Sequence, residues 1–186
     1  SRGRVHLMRS IHDCIVTSSK TVCDDNPRLN CRIRGLEKTS PTRVILDKNL
    51  ETKFSASLIK TSNIYKTIIF YNKTNKKKIN YLKKLKIKLY KVSVDNKNRL
   101  NLREILFILR LKGFSRIFLE AGLNLTKGFL IDNLIDELHL FISEKKINKM
   151  GKNSFRKISR LFLSKYKAQY QNVNLKGDQL ITYKIK

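Results

Sequence analysis

The sequence predicts a single α/β domain whose strands form a largely parallel sheet. Strand-like and helix-like segments alternate along the first three quarters of the 186 residues, as in chains built from β/α units. Several of the strands are short apolar runs, which is typical of strands buried on both faces. Near the end, two alternating segments flank Lys176, Gly177 and Asp178, and this pattern predicts a terminal antiparallel hairpin.

The elements of the first half follow from local periodicity. Residues 4–11 predict a helix, because Val5 and Met8 fall on one side of it. Short β-rich or apolar runs predict strands, and a lysine-rich segment with apolar residues at helical spacing predicts a helix. The elements expected after the first helix are strands at residues 14–18, 43–47 and 67–71, a helix within residues 73–88, and a strand at residues 89–94.

The second half contains the clearest helix, at residues 101–112. Four apolar side chains recur there at helical spacing, and Gly113 follows as a stop signal. The other elements expected are a strand at residues 116–120, a helix at 123–132, a strand at 137–143, a helix or irregular turn at 154–166, and hairpin strands at 170–175 and 179–185.

The net charge of +27, from 41 Lys and Arg against 14 Asp and Glu, favours nucleic acid or another polyanion as a partner. A competing explanation is that the excess is mostly lysine. Abundant Lys, Asn and Ile together are what an A+T-rich genome encodes in any protein. The densest patch, residues 73–88, has eight lysines and no acid. Its apolar residues have helical spacing, so the sequence favours a solvated helix face over a nucleic-acid-binding arm.

Composition also argues against several classes of protein. Cys14, Cys23 and Cys31 are odd in number and have no C-x-x-C spacing. This disfavours a disulfide framework or a zinc site, and it favours reduced thiols in a cytoplasmic protein. No apolar run approaches the roughly 18 to 20 residues of a membrane span. Because Ser1 rather than Met stands first, we expect the chain to be a fragment of a longer protein.

Residues 21–32, TVCDDNPRLNCR, are the most informative segment of the chain. Thr21 offers a hydroxyl group, and Asp25 can accept a hydrogen bond from a ribose or an amide. A proline turn follows, and Arg32 can pair with a phosphate through two hydrogen bonds. The segment therefore indicates a site for a polar, phosphorylated ligand at a strand end. The alternative is a helix-capping Asp and a surface Arg.

A second segment with the features of a nucleotide site begins at Glu120, where a predicted strand delivers a carboxylate at its C-terminal end. Gly122 allows another molecule to approach the backbone closely. The helix expected from Leu123 offers free N–H groups to a pyrophosphate, and Lys127 adds a cation. An ordinary strand–turn–helix connection is the alternative, because no G-x-G-x-x-G fingerprint is present.

Arg9 is a further candidate anion ligand, with a solvated arginine as the alternative. The three histidines are isolated, and neither an H-E-x-x-H motif nor a nucleophile elbow occurs. We therefore expect them to be packed or surface residues, and we expect no metal site. The histidines are His6, His12 and His139.

Five segments in this order resemble one family, the reductase domain of the bifunctional deaminase/reductase of riboflavin biosynthesis. The resemblance covers nearly the whole chain, and GDQLITYKI near the end is similar to the closing strand of the family. The five segments are HLMR from His6, TVCDDNPRLNCR from Thr21, PTRVILD from Pro41, IFLEAG from Ile117 and LIDELHLFIS from Leu134.

The resemblance implies a dihydrofolate-reductase-like α/β fold, a homodimer, and NADPH-dependent reduction of 5-amino-6-(5-phosphoribosylamino)uracil to its ribitylamino form. Asp25 or water is expected to pass the proton, and Lys48 could meet the 2′-phosphate of NADPH. The implied substrate contacts are Arg9, Leu29, Arg32 and Glu120. The implied NADPH contacts are Thr21, Asp25, Lys48, Gly122, Leu123, Asn124, Leu125, Thr126, Lys127 and Gly128.

The chain departs from the family pattern in several places. Asn26 stands where a second acid is usual, and Lys48 where many relatives have a small polar residue. The expected first strand, with its Ser-x-Trp segment, is missing, and so are the zinc-binding motifs of the deaminase. These departures predict a fragment or a degraded copy. The alternatives are a nucleotide-binding domain without turnover and a basic RNA-associated protein.

Overall fold

The computed structural model describes residues 1–73, 76–143, 162–175 and 177–186. Their contacts divide the chain into two compact units, Arg2–Gly122 and Leu123–Lys186, with Ser1 assigned to the second. No helix among these described residues is long and apolar enough to cross a lipid bilayer.

The first unit contains a five-stranded sheet in which every neighbouring pair of strands is parallel. The chain moves outward from the first strand to the fourth and then returns to place the fifth on the other side of the first. This arrangement confirms the predicted parallel sheet. The strands are β1 (Cys14–Ser18), β2 (Thr42–Leu46), β3 (Thr67–Tyr71), β4 (Lys88–Lys91) and β5 (Ile117–Leu119), in the order β4-β3-β2-β1-β5.

Five α-helices accompany this sheet: α1 (Arg2–Ser10), α2 (Ser19–Asp25), α3 (Ser57–Lys60), α4 (Lys76–Lys84) and α5 (Leu102–Leu111). Side chains cap two of them. Ser18 accepts a hydrogen bond from the Thr21 N–H at the start of α2, and Asn101 accepts one from the Glu104 N–H at the start of α5. Gly113, with φ of 85°, follows α5 as predicted.

Two of these helices, α2 and α3, were not predicted from the sequence. Helix α2 contains Thr, Val, Cys and Asp, which are weak helix formers. The Ser18 cap at its start supplies a local stabilisation that composition does not reveal. Helix α3 has only four residues, too few for a period of 3.6 residues to appear.

The core of the first unit forms around the central strands. Ile15, Ile45 and Ile69 are fully buried on one face, where Leu29 and Leu58 join the same apolar cluster. Parallel strands covered on both sides are expected to have such continuous apolar sequences. Their burial makes the sheet a rigid base for the side chains at its edge.

The second unit contains helix α6 (Leu123–Ile131) and strands β6 (Glu137–Ile142), β7 (Ala168–Tyr170) and β8 (Gln179–Lys184). The strands form an antiparallel sheet in the order β6-β8-β7. The predicted terminal hairpin is present, but its first strand ends at Tyr170 instead of Leu175. Alternation alone cannot set strand register when the connection is longer than a tight turn. The predicted helix or turn at residues 154–166 falls mostly outside the described residues.

Candidate active site

The candidate site lies at one edge of the parallel sheet, entirely within the first unit. The carboxyl ends of parallel strands meet at the same edge, and ligands bind where the strand order reverses. Here the order reverses at β1, which has β2 on one side and β5 on the other. Thr21 comes shortly after β1, Lys48 after β2 and Glu120 directly after β5. The fold thus brings three of the predicted site residues to this edge.

Arg9 and Glu120 form a two-pronged ion pair across this edge. Arg9 Nη2 lies 2.6 Å from Glu120 Oε1, and Arg9 Nε lies 3.0 Å from Glu120 Oε2. The Arg9 side chain is 10% exposed and that of Glu120 is 32% exposed. Paired hydrogen bonds between a guanidinium and a carboxylate orient both groups strongly. Two residues that were predicted separately as ligand contacts therefore form one unit.

Leu29 and Asn30, in the loop before Arg32, are held in place by the apolar core and by the side chains of Arg9 and Tyr65. Leu29 has φ of 51°, an unusual conformation for a non-glycine residue, and its side chain is buried in the apolar cluster. The next carbonyl, that of Asn30, accepts a hydrogen bond from Arg9 Nη1 at 3.0 Å, and Asn30 Nδ2 donates to the Tyr65 hydroxyl at 3.0 Å. Because the Leu29 side chain faces the core, its expected substrate contact can only come from the main chain.

A fully buried arginine, Arg43, binds the main chain at Arg28, next to Leu29 in the same loop. Its guanidinium donates to the carbonyls of Leu58 and Tyr65 at 2.9 and 3.0 Å, and to that of Arg28 at 3.4 Å. It also donates to the Thr67 hydroxyl at 2.7 Å. Burial lowers the pKa of Arg43 to about 10, so the group stays charged at neutral pH. Main-chain carbonyls thus satisfy this buried cation and become cross-linked by it.

Arg32 lies against the ring of His6. Its main-chain N–H donates to His6 Nδ1 at 3.2 Å, and its Nη2 lies 3.2 Å from His6 Nε2. Burial, and then the charges of Arg9 and Arg32, lower the pKa of His6. Three basic groups therefore gather on one side of the site, and the neutral form of His6 is favoured.

Thr21 links the ends of β1 and β5. The Gly122 N–H donates to Thr21 Oγ1 at 3.3 Å, and Ser18 Oγ lies 3.0 Å from the same hydroxyl. A Cβ atom added at Gly122 would approach only Thr21 Oγ1, at 3.8 Å. An added side chain would therefore have space here among the described residues, and the close approach of a ligand to Gly122 stays a prediction from the sequence.

Asp25 ends α2 with an exposed side chain, and it forms no hydrogen bond with any residue that the structure describes. Asn26 follows with φ of 43°, a conformation that Asn tolerates well. Its Oδ1 accepts the Ser57 N–H at 2.8 Å, at the start of α3. The side chain at this position therefore has a structural role at the start of α3, and because a carboxylate could accept the same hydrogen bond, this contact does not explain the change from an acid to an amide.

Lys48 lies two residues beyond β2, and its Nζ donates to the Asn98 carbonyl at 3.1 Å. The preceding residue, Asp47, is buried and accepts the N–H groups of Glu51 and Thr52 at 2.7 and 2.8 Å. This turn holds Lys48 near the sheet edge with a neutral partner. Its charge is therefore uncompensated by a carboxylate within the described part of the chain.

The other predicted cofactor contacts belong to the second unit and form the first six residues of α6. Asn124 and Lys127 are exposed, Gly128 is buried, and the rest are half-buried. The six residues are Leu123, Asn124, Leu125, Thr126, Lys127 and Gly128.

Three neighbours of the site were missed by sequence reasoning. His6 was assigned no ligand-binding role, and Asn30 and Tyr65 were not considered. The spacing of His6 and Arg9, three residues apart on α1, was the available signal, since such residues share a helix face.

In the described ranges, no cluster of His, Cys, Asp and Glu could hold a metal ion.

Comparison with known proteins identifies the family. The family model of the RibD C-terminal domain matches residues 1–155. A riboflavin biosynthesis protein RibD from Bacillus amyloliquefaciens is 32% identical over 136 residues, which are 73% of this chain and 35% of that protein. A 5-amino-6-(5-phosphoribosylamino)uracil reductase from Buchnera aphidicola is 29% identical over 157 residues, covering 78% of this chain and 72% of the relative.

Solved structures agree on the fold. RibD from Acinetobacter baumannii superposes with a TM-score of 0.74 and 20% identity, over 98% of this chain and 49% of that one. The chain spans between 35% and 38% of the length of the first curated relatives it matches. The predicted resemblance and fold are confirmed, and the chain belongs to the RibD C-terminal domain family.

Proposed function

We propose that this chain is an NADPH-dependent oxidoreductase of riboflavin biosynthesis that reduces 5-amino-6-(5-phosphoribosylamino)uracil to its ribitylamino form. Membership in the RibD C-terminal domain family supports this, as does the similarity to the Buchnera protein named as this reductase. The observation that carries the proposal is the Arg9–Glu120 pair beside Arg32, at the edge where the strand order reverses.

The substrate would lie against this group of charged residues. Arg32 offers guanidinium donors suited to its phosphate, and Glu120 offers a carboxylate to hydroxyl or amine groups. Arg9 holds Glu120 in place and adds positive charge. The main chain at Leu29, where φ is 51°, would line the site from the adjacent loop. These residues bind and orient the sugar phosphate, and orientation alone can supply several kcal/mol of barrier reduction.

The residues near β1 and β5 fit a dinucleotide. Gly122 leaves its backbone open, and Thr21 presents a hydroxyl beside it. Within the second unit, the N–H groups at the start of α6, beginning at Leu123, are suited to a pyrophosphate, and Lys127 adds a cation. Asp25 would contact the ribose, and Lys48 the 2′-phosphate that distinguishes NADPH from NADH.

The chemistry requires little from the protein beyond positioning. When bound, NADPH supplies a hydride to C1′ of the substrate sugar in its open-chain imine form. Asp25, exposed at the end of α2, or a water molecule would deliver the proton. Both ligands are anionic, so a chain with a net charge of +27 would also capture them faster.

The relatives named RibD are much longer than this chain, and we propose that it normally acts together with a deaminase domain and as a homodimer. Light scattering on the purified protein would test the dimer.

The single exposed free thiol among the described residues, that of Cys23, fits a reducing compartment such as the cytoplasm.

Steady-state kinetics test the proposal directly. Substrate-dependent loss of reduced-nicotinamide absorbance is expected for the wild type. In Glu120→Gln, kcat/KM should fall about 10- to 100-fold, the equivalent of one hydrogen bond to a charged group. Glu37→Gln, an exposed substitution on the same unit, is the control. Equal kcat/KM in the two variants would remove Glu120 from the site.

The same preparation separates the alternatives. NADPH binding seen by fluorescence, without turnover, would indicate a nucleotide-binding domain that has lost catalysis. Binding of an RNA oligonucleotide that weakens linearly on a logarithmic salt scale would indicate the RNA-associated protein instead.

A further inference from the structure

We propose that His6 is a positioning residue that holds Arg32 ready for the phosphate group of the substrate. This inference rests on the proposed function, because it assigns Arg32 to that phosphate. His6 lies on α1 three residues before Arg9, so both side chains leave the same helix face toward the site. No part of the sequence pattern assigned it this task.

The contacts with Arg32 involve both its main chain and its guanidinium. The main-chain N–H donates to His6 Nδ1 at 3.2 Å. On the other side of the ring, Arg32 Nε and Nη2 lie 3.4 and 3.2 Å from His6 Nε2. One imidazole therefore lies against Arg32 at two separated points, the main-chain N–H and the guanidinium.

A neutral imidazole has one acceptor nitrogen and one N–H group, so it cannot accept from both points of Arg32 at once. If Nδ1 accepts the main-chain N–H, the guanidinium faces an N–H and gains no hydrogen bond from the ring. His6 then holds the Arg32 main chain, its ring leaves the guanidinium donors unbound, and no carboxylate in the part of the chain that the structure describes forms an ion pair with Arg32. Its donors are thus available to an incoming phosphate.

The surrounding charges favour this neutral state. The groups facing His6 are Arg9 on its own helix, Arg32 and the Asn30 carbonyl on the adjoining loop, and Glu120 after β5. Burial and the two arginines act against protonation, and Glu120 and the carbonyl act for it. Because Glu120 is already paired with Arg9, it offsets the two cations only in part.

Ribose 5-phosphate, ribose and NADPH are the probes for the test, with binding to the full chain measured by calorimetry. The wild type should bind ribose 5-phosphate more tightly than ribose. His6→Ala should weaken ribose 5-phosphate binding about 3- to 10-fold, the range expected for one net hydrogen bond. His6→Asn should restore most of it, since its amide oxygen can replace Nδ1. NADPH affinity should not change, and Leu7→Ala on the same helix is the control.

The outcomes separate this inference from the proposed function. If the wild type does not distinguish ribose 5-phosphate from ribose, the assignment of a phosphate to Arg32 fails. If it does, and His6→Ala binds ribose 5-phosphate as tightly as the wild type, the role of His6 is overturned. Equal weakening in His6→Ala and His6→Asn would also overturn it, because the acceptor at Nδ1 would then be irrelevant.

Discussion

Replacing Glu120 by Gln should destabilise the first unit even without a ligand. Glu120 accepts two hydrogen bonds from Arg9, at 2.6 and 3.0 Å. A glutamine keeps one acceptor, removes the negative charge and turns an N–H₂ group toward a guanidinium. Arg9 would then be a nearly buried cation, with a side chain 10% exposed, and its partners among the described residues would be two neutral oxygens, the Asn30 carbonyl and the glutamine amide oxygen.

The magnitude follows from the contacts that are lost. A hydrogen bond to a charged group contributes about 1.5 to 3 kcal/mol. Since the Glu120 side chain is 32% exposed, solvent screening places the loss near the lower end, at about 2 kcal/mol. At Glu37 the exposed carboxylate accepts the Gly35 N–H at 3.0 Å, so Glu37→Gln should cost less than about 0.5 kcal/mol.

Urea unfolding of both variants measures the difference in their free energies of unfolding. An unchanged slope of that free energy against urea concentration would show that the folded and unfolded states are as compact as in the wild type. A double-mutant cycle with Arg9→Met should give a coupling free energy of about 1 to 2 kcal/mol. A loss in Glu120→Gln no greater than in Glu37→Gln, or a coupling near zero, would refute the reasoning that the pair is a stabilising unit.

Three further predictions concern single positions. Gly122→Val should lower NADPH affinity more than about tenfold, measured by nicotinamide fluorescence. The fold should be kept, because a Cβ added at Gly122 has space. Gly3→Val, at another position with space for a Cβ, is the control, and equal NADPH affinity in the two variants would contradict the prediction. Burial raises the pKa of the Cys14 thiol to about 12, so iodoacetamide on the native protein should modify exposed Cys23 and spare Cys14 by mass spectrometry. The pKa of His6 is lowered from 6.5 in the folded chain, so as pH falls the unfolded chain binds a proton first and the free energy of unfolding decreases. His6→Asn lacks this group and should therefore lose less free energy of unfolding than the wild type between neutral pH and about pH 5. Identical losses would count against the lowered pKa.

Much of the fold was predictable because the parallel strands carry strong local signals. Residues 14–18 and 67–71 were predicted with the bounds that the structure shows for β1 and β3. The long amphipathic helix α5 differs from the prediction only at its ends. Helix α2 was missed because its stability depends on the cap at Ser18, and the hairpin bounds were wrong because its connection is longer than a tight turn.

The site was predictable only in its individual residues. Patterns in the sequence indicated Arg9, Arg32 and Glu120 separately, each with a plain surface residue as the alternative. For His6, the local pattern offered only its spacing of three residues from Arg9 on one helix, and for Asn30 it offered no signal that the residue completes the same group. Those contacts join a helix, a loop and a strand end, whose relative positions depend on the order of strands in the sheet.

The sequence by itself determined the strands of the first unit, its helices α1, α4 and α5, and the family to which the chain belongs, because burial and periodicity act over a few residues and the motifs keep their order. Only the tertiary structure decided that Arg9 meets Glu120, 111 residues further along the chain, and that Arg43 is buried among main-chain carbonyls. The physical reason is that β5 returns to the side of β1 opposite β2. That long-range pairing brings distant charges together, and it leaves no trace in local periodicity.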